Sequence, residues 1–406
     1  MKISVIGSTK SGYQATKREF DIAGGHSAGI CYMAYDFDTI QNEPVEKTDR
    51  RIAQTKGGGH HSVYDHTSIS FYFEDIPKGL AMLLNNERMY TTSEKSARYT
   101  KMVLSEQEQV LYDKWIEIYA KQIRDTYGAK YPERFNYRKI TKLAQENARY
   151  LTSVLTPTSM KYTVSYRQLN YLYGFFRDEI DRKENNTFMR LIKPAMKEFC
   201  DALDKTDYID PSLRDNKGRR LSLITEAPVE TYYGDVYATT YKGSYAQYAQ
   251  AQRHRSLSYS IAELPEPEFY IPPIIRTDDD LAKEWIEDCK SLTTVLPQGM
   301  LVEITEMGTL DNFILKMKER KCGEAQLEIN QQTNETLKQY LQALRDRKHM
   351  LSDKNAGKVD NNTQLKSVQN KIDKLEPYTK GARCVAGFKC TQPCGFPEGV
   401  KETRLI

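Results

Sequence analysis

The chain has 406 residues, 39% of them hydrophobic and 28% charged, with a formal net charge of +4. That length exceeds what one small core accommodates and points to two or three units, while so mild a charge excludes the dense basic stripe that tracks a nucleic-acid backbone. No run of about 18 apolar residues occurs, so no membrane partner is expected, and a small anionic ligand suits the balance better than a polymer.

In chain order, residues 1–8 (MKISVIGS) alternate as a strand does, where a secretory leader would show a continuous apolar stretch. A soluble cytoplasmic protein is expected. Residues 7–12 (GSTKSG) have the glycine spacing of a phosphate-binding loop but run into Tyr13 instead of Lys-Ser/Thr, and read as an ordinary exit from a strand. Residues 67–73 (TSISFYF) alternate as a second strand, followed by a short apolar helix and then by LNNERMYTTSEKSARY at residues 84–99. A stretch in the same kind of setting is TYYGDVYATTYKGSYAQYAQAQRHR at residues 231–255.

Each of these is followed by a region read as long and helical, ARYLTSVLTPTSMKYTVSYRQLNYLYGFFR in the first case and SLTTVLPQGMLVEITEMGTLDNFILKMKER in the second. The halves look like diverged copies. Their boundary falls in the polar residues 204–218 (DKTDYIDPSLRDNKG), which gives units at 1–205 and 206–330. Beyond them, Leu337, Leu341, Leu344 and Leu351 mark one helical face and Leu365, Val368, Ile372 and Leu375 another, across the loop DKNAGKVDNN. Residues 331–406 therefore read as an antiparallel helical arm with a cysteine-containing tail. Interspersed charges of both signs make that arm a solvated packing element.

Four of the seven cysteines (Cys31, Cys200, Cys289, Cys322) stand singly and read as small buried hydrophobes of a reducing compartment. Cys384, Cys390 and Cys394 form C-x5-C-x3-C, which lacks the four tightly paired ligands of a structural zinc site. A packed reduced knuckle, a metal site completed by His349, and a redox pair all remain open. The triplet Arg253-His254-Arg255 has two readings as well. It is ordinary on a solvated helix face, but planar guanidinium groups also pair bidentately with phosphate.

Five pieces together resemble the flavin-dependent thymidylate synthases, the ThyX family, in a tandem-duplicated form. AGICY at 28–32 and GHHSVYDH at 59–66 are similar to the family's early boxes, with Asp65 in place of a glutamate. The signature Arg-His-Arg followed by Ser-x-Arg-Tyr is divided. The first half keeps SEKSARY at 93–99 but has Asn86-Glu87-Arg88 where the triplet belongs, whereas the second keeps Gln250, Arg253-His254-Arg255 and EFYIP at 268–272 and lacks the Ser-x-Arg-Tyr loop. Arg149 resembles the later family arginine, whose place in the second half is taken by Thr293. Arg320 with AQLEI at 325–329 matches the last box, and Arg177 matches it more loosely.

The resemblance implies an α+β fold of two diverged repeats, each an antiparallel sheet with long helices. It also implies FAD-dependent reductive methylation of dUMP, with NADPH and methylenetetrahydrofolate as co-substrates. Arg253 and Arg320 would be catalytic, stabilising charge on the uracil ring, and Cys31 would be structural. Glu94, Ser96, Ala97, Arg98, Arg149 and Gln250 would hold the nucleotide, and His60, Ser62, Arg253, His254 and Arg255 the flavin. One composite site shared by the halves is expected, in a homodimer that mimics a four-repeat assembly. The rivals are a noncatalytic nucleotide- or flavin-binding scaffold and C5 modification of another pyrimidine nucleotide.

Overall fold

The computed structural model describes residues 13–96, 100, 102–183, 186–214, 221–224, 229–354, 359–387, 396 and 403–406. The expected strand at residues 1–8, the glycine pair of residues 7–12, Ala97, Arg98, Cys390 and Cys394 lie outside them.

The chain enters through three helices, α1 (Lys17–Tyr32), α2 (Phe37–Gln41) and α3 (Val45–Gly57). Thr16 and Glu19 close a capping box that starts α1. The small residues of IAGGHSAG let α1 lie close to α3: a Cβ at Gly25 would stand 2.8 Å from the Thr48 side chain. After a 3-10 turn at His61–Asp65 come β1 (Ser68–Pro77), α4 (Lys78–Leu84) and β2 (Tyr90–Glu94), then α5 (Glu106–Ile123), α6 (Tyr137–Ala148), β3 (Pro157–Ser165), α7 (Tyr166–Asp181) and α8 (Thr187–Leu203). The three strands form an antiparallel sheet in the order β1-β3-β2.

The next elements are β4 (Tyr232–Tyr233), β5 (Val236–Ser244), α9 (Tyr245–Ala251), β6 (Ser258–Glu263), α10 (Pro273–Arg276), α11 (Asp279–Ser291), β7 (Leu301–Thr309) and α12 (Leu310–Arg320). This sheet is also antiparallel, ordered β4-β5-β7-β6. In each sheet the strand latest in sequence is central and runs straight into a long helix. The architecture is α+β, with small antiparallel sheets among helices.

The two regions expected to be long helices are each a strand followed by a helix. Along β3, Thr158, Met160, Tyr162 and Val164 are buried at every second position, and that period of two outweighs the helical spacing that begins only at Tyr166. In the second region the same switch comes at Leu310, where the Thr309 side chain caps α12.

The halves meet along their loops. Val154 N–H donates to the Leu296 carbonyl at 3.0 Å and Gln298 N–H to the Thr152 carbonyl at 2.7 Å, on either side of the Ser153–Pro297 bridge. Gly299 comes so near Tyr150 that a Cβ would lie 3.1 Å from its carbonyl oxygen. Trp115 on α5 and Trp285 on α11 pack edge to face with centroids 4.8 Å apart, both fully buried. Long helices α13 (Leu327–Lys354) and α14 (Val359–Leu375) follow. Their pairing is antiparallel, with Lys348 bonded to Gln369 and Arg345 to Glu376. The arm is not wholly solvated, since Ile329, Thr333, Thr336 and Tyr340 at the start of α13 have no exposed surface. Of the four single cysteines, Cys200 and Cys289 are buried, Cys322 is half-buried and Cys31 is exposed, so the expectation of small buried hydrophobes fails at Cys31. No described helix is long and apolar enough to cross a membrane.

Candidate functional site

Of the residues expected at the nucleotide, Glu94, Arg149 and Gln250 line one cleft and Ser96 does not. Lys78, Glu94, Lys95, Met102, Arg149, Thr152, Thr156 and Thr158 from the first half line one cleft with Ala246, Ala249, Gln250, Arg253 and Gln298 from the second. Its enclosed room is about 20 Å³, on the scale of one water molecule, for which about 10–15 Å³ suffices. Any ligand larger than a water molecule therefore needs the cleft to open.

Helix α9 delivers the second half's share. Ser244 caps it by accepting from the Gln247 N–H at 3.0 Å, and all seven of its residues are buried. The chain then tightens into a 3-10 turn at Gln252–His254 that ends on Arg255 in the left-handed region, at φ 54°. That residue turns the chain toward β6 and sends its guanidinium across to the Thr92 carbonyl and over the Tyr90 ring, 5.7 Å from the centroid. Arg253 projects outward on the cleft side, exposed and without a hydrogen bond or ion pair to the described residues.

Arg149 is held from behind. Its guanidinium donates to Gln326 Oε1 at 2.9 Å, Gln326 donates to the Tyr150 hydroxyl, and Tyr150 donates to Glu328 Oε2 at 2.9 Å. Glu328 in turn accepts from the Ser244 N–H at 2.8 Å and the Ser244 hydroxyl at 2.6 Å. One buried chain of hydrogen bonds thus fixes Arg149 and the first turn of α9 together. Burial pushes the Glu328 carboxyl up, against the opposing pull of Ser244, Tyr150 and Arg149.

Arg320 does not line the cleft; it donates to the Gln250 carbonyl at 2.9 Å and so braces the end of α9. His254 turns inward beside it. Burial, followed by the charges of Arg320 and Lys316, pushes the imidazole down to about 3. Because the unfolded chain binds near pH 6.5 a proton that the folded chain refuses, stability is full above about pH 6.5 and declines as pH falls toward 3. The expected result is that His254→Gln flattens the rise of melting temperature between pH 4 and pH 7. A slope equal to that of the wild type would contradict this.

Ser96 sits at the edge of the described segment, where its carbonyl accepts from the Thr100 N–H at 3.1 Å and the Thr100 hydroxyl at 2.8 Å. The residues expected at the flavin do not share a cradle within one chain. His60 Nδ1 pairs with the Tyr32 hydroxyl at 2.6 Å, Ser62 lies exposed on the turn after α3, and neither lines the cleft. With Arg255 committed to Thr92, this set does not fit a flavin held by one chain alone. Asp65 has a local role, accepting from the Ser165 hydroxyl at 2.6 Å and from Arg167 at 2.9 Å at the start of α7.

Sequence reasoning missed Lys78, whose ammonium meets Glu94 Oε1 at 2.5 Å in the floor of the cleft. The available signal was a lone lysine heading the otherwise apolar KGLAMLL. It also gave Glu328 no task, although AQLEI contains it. Among the described residues, no group of three His, Cys, Asp or Glu side chains could hold a metal ion.

Residues 21–200 match a family model described as Thy1, thymidylate synthase complementing protein. A flavin-dependent thymidylate synthase of Pyrococcus furiosus is 26% identical over 34% of this chain and 57% of its own length. The chain thus spans little more than half of that relative. A crystal structure of the UMP/dUMP methylase PolB from Streptomyces cacaoi, bound with 5-Br dUMP, aligns with 14% identity and a TM-score of 0.30 over 47% of this chain and 93% of that one. The Thy1 match runs from the second turn of α1 into the last turn of α8, and over that portion the chain is similar to the ThyX proteins.

Proposed function

We propose that the cleft binds a pyrimidine nucleoside monophosphate and that the protein methylates dUMP at C5 reductively, with FAD as hydride carrier and NADPH and methylenetetrahydrofolate as co-substrates. The observation that carries this reading is the convergence of Arg149 from one half with Gln250 and Arg253 from the other on a single cationic cleft. Uracil C5 becomes nucleophilic when negative charge on the ring oxygens is stabilised, and the guanidinium of Arg253 suits that task without reorganising water. Arg149 is assigned to the phosphate, together with Ser96, Ala97 and Arg98 of the Ser-x-Arg-Tyr turn. Gln250 borders the nucleotide, and Arg320 acts on the reaction by holding α9.

The units 1–205 and 206–330 are read as diverged copies, with 331–406 as an added arm and tail. Superposing the two sheets by register supports this, since Pro77 pairs with Pro157 where Ser244 pairs with Leu301, and Glu94 pairs with Met160 where Ile261 pairs with Ile304. On that register the reciprocal bonds around Ser153 and Pro297 relate the halves by a local two-fold axis. Most cleft residues then have a counterpart. Lys78 corresponds to Tyr245, Glu94 to Ile261, Gln250 to Leu83, Arg253 to Asn86, Thr156 to Met300 and Gln298 to Val154. Of these counterparts Tyr245, Ile261, Leu83, Met300 and Val154 are buried, whereas Asn86 is half-buried, as is Thr293 in the place of Arg149, and Phe188 stacks on Tyr245 at 5.5 Å. Where one half-pair keeps a cationic cleft, the other is packed as core, which accounts for the divided signature. A single functional site per chain follows.

The separation of His60 and Ser62 from the cleft supports a flavin site completed by a second chain, and hence a homodimer. The test is tritium release from C5-labelled dUMP with FAD, NADPH and methylenetetrahydrofolate. Release is the expected result. Tight dUMP binding without release would replace the enzyme by a nucleotide-binding scaffold, and release only from another labelled pyrimidine nucleotide would change the substrate.

A further inference from the structure

We propose that Lys78 is a phosphate-binding residue of the cleft and that Glu94 occupies its ammonium as a displaceable stand-in for phosphate, so that ligand entry exchanges one anion for another. The identity of the ligand beyond its phosphate rests on the nucleotide reading above.

Among the described residues, four cationic side chains line the cleft, Lys78, Lys95, Arg149 and Arg253, against the one carboxylate of Glu94. The Lys78 and Glu94 side chains are only 11% and 5% exposed. An ammonium is costly to bury without a partner of opposite charge, and the helix it heads is otherwise the wholly buried, uncharged Gly-Leu-Ala-Met-Leu-Leu. Packing gives no reason for a lysine there, because the corresponding Tyr245 fills the equivalent place as an uncharged, buried ring. Burial and the nearby Arg253 and Arg149 charges press the Lys78 ammonium down, while Glu94 holds it up.

Glu94 is also placed to leave. It is the last residue of β2, and among the described residues its second oxygen has only a long 3.4 Å contact from Asn85 Nδ2. The next residue is pinned independently, by Lys95 N–H to the Ser159 carbonyl at 2.9 Å. Swinging the carboxylate out therefore leaves the strand paired. It also frees space that the closed cleft lacks, and it presents Lys78 and Arg149 together to an anion with three acceptor oxygens.

The test titrates inorganic phosphate, and then dUMP, into full-length protein by calorimetry at fixed ionic strength. Glu94→Gln is expected to bind phosphate about tenfold or more tighter than wild type, as the competing carboxylate charge is gone. Lys78→Met alone strands a buried carboxylate, so the decisive variant is Lys78→Met/Glu94→Gln, in which the gain should disappear. Phosphate affinity that is blind to Glu94→Gln, or a gain that persists in the double variant, would overturn the proposal. Should phosphate follow the expected pattern while dUMP binds no tighter than phosphate, the nucleotide reading fails and the role of Lys78 stands. Tight dUMP binding with phosphate affinity unmoved by either change would instead leave the nucleotide reading intact and remove Lys78 from the phosphate.

Discussion

Arg253→Ala is expected to lower turnover of dUMP by about 10²-fold or more, the usual cost of removing a preorganised charge from a reacting centre. Little stability should be lost with it, because the side chain is exposed and makes no hydrogen bond or ion pair with the described residues. Arg253→Lys separates charge from shape: an ammonium keeps the positive charge but not the planar pair of donors, so it should recover only part of the rate. Steady-state tritium release on both variants, with circular dichroism as the check on folding, supplies the comparison. Turnover near the wild-type value in the alanine variant would remove the triplet from the site.

The largest effect on stability is expected at Lys316. Its ammonium meets Glu306 Oε2 at 2.5 Å with neither side chain exposed, and the same carboxylate accepts from Tyr237 at 2.6 Å and Tyr241 at 3.0 Å. Removing one member of such a pair leaves a buried uncompensated charge, which typically costs about 3–5 kcal/mol. Lys316→Met should therefore shift the denaturant midpoint strongly downward. The double variant Lys316→Met/Glu306→Gln should regain much of the loss, since a neutral amide can stay bonded to the tyrosines. An equal loss in single and double variants would mean that packing, not charge, makes the site sensitive. Lys316 and Arg320 lie about one turn apart on α12 and both act on His254. The single variant should thus also raise the His254 pKa, which proton resonances of the ring would report.

How far the sequence reaches is clearest at the divided signature. Arg253 and Gln250 on one side and Arg149 and Glu94 on the other were identifiable because their residue types and order carry the chemistry, and the structure brings them to one cleft. Lys78 was invisible for the opposite reason, as it belongs to no motif and gains meaning only when β2 folds Glu94 against it. The strands β3 and β7 were hidden by the helices that continue them without a turn, so that a helical period at Tyr166 or Leu310 masked the alternation just before it. Contacts between distant segments, such as Arg255 with Thr92 or Tyr150 with Glu328, are set by packing and leave no local pattern to read.

The account turns on one composite site per chain, made by residues of both halves, with its counterpart filled. Calorimetric titration of the full-length protein with dUMP measures this directly, together with the same titration of Arg149→Ala and Arg253→Ala. One nucleotide per chain, lost or weakened at least about tenfold in both variants, is the result expected. Two nucleotides per chain, or weakening in only one of the variants, would contradict it.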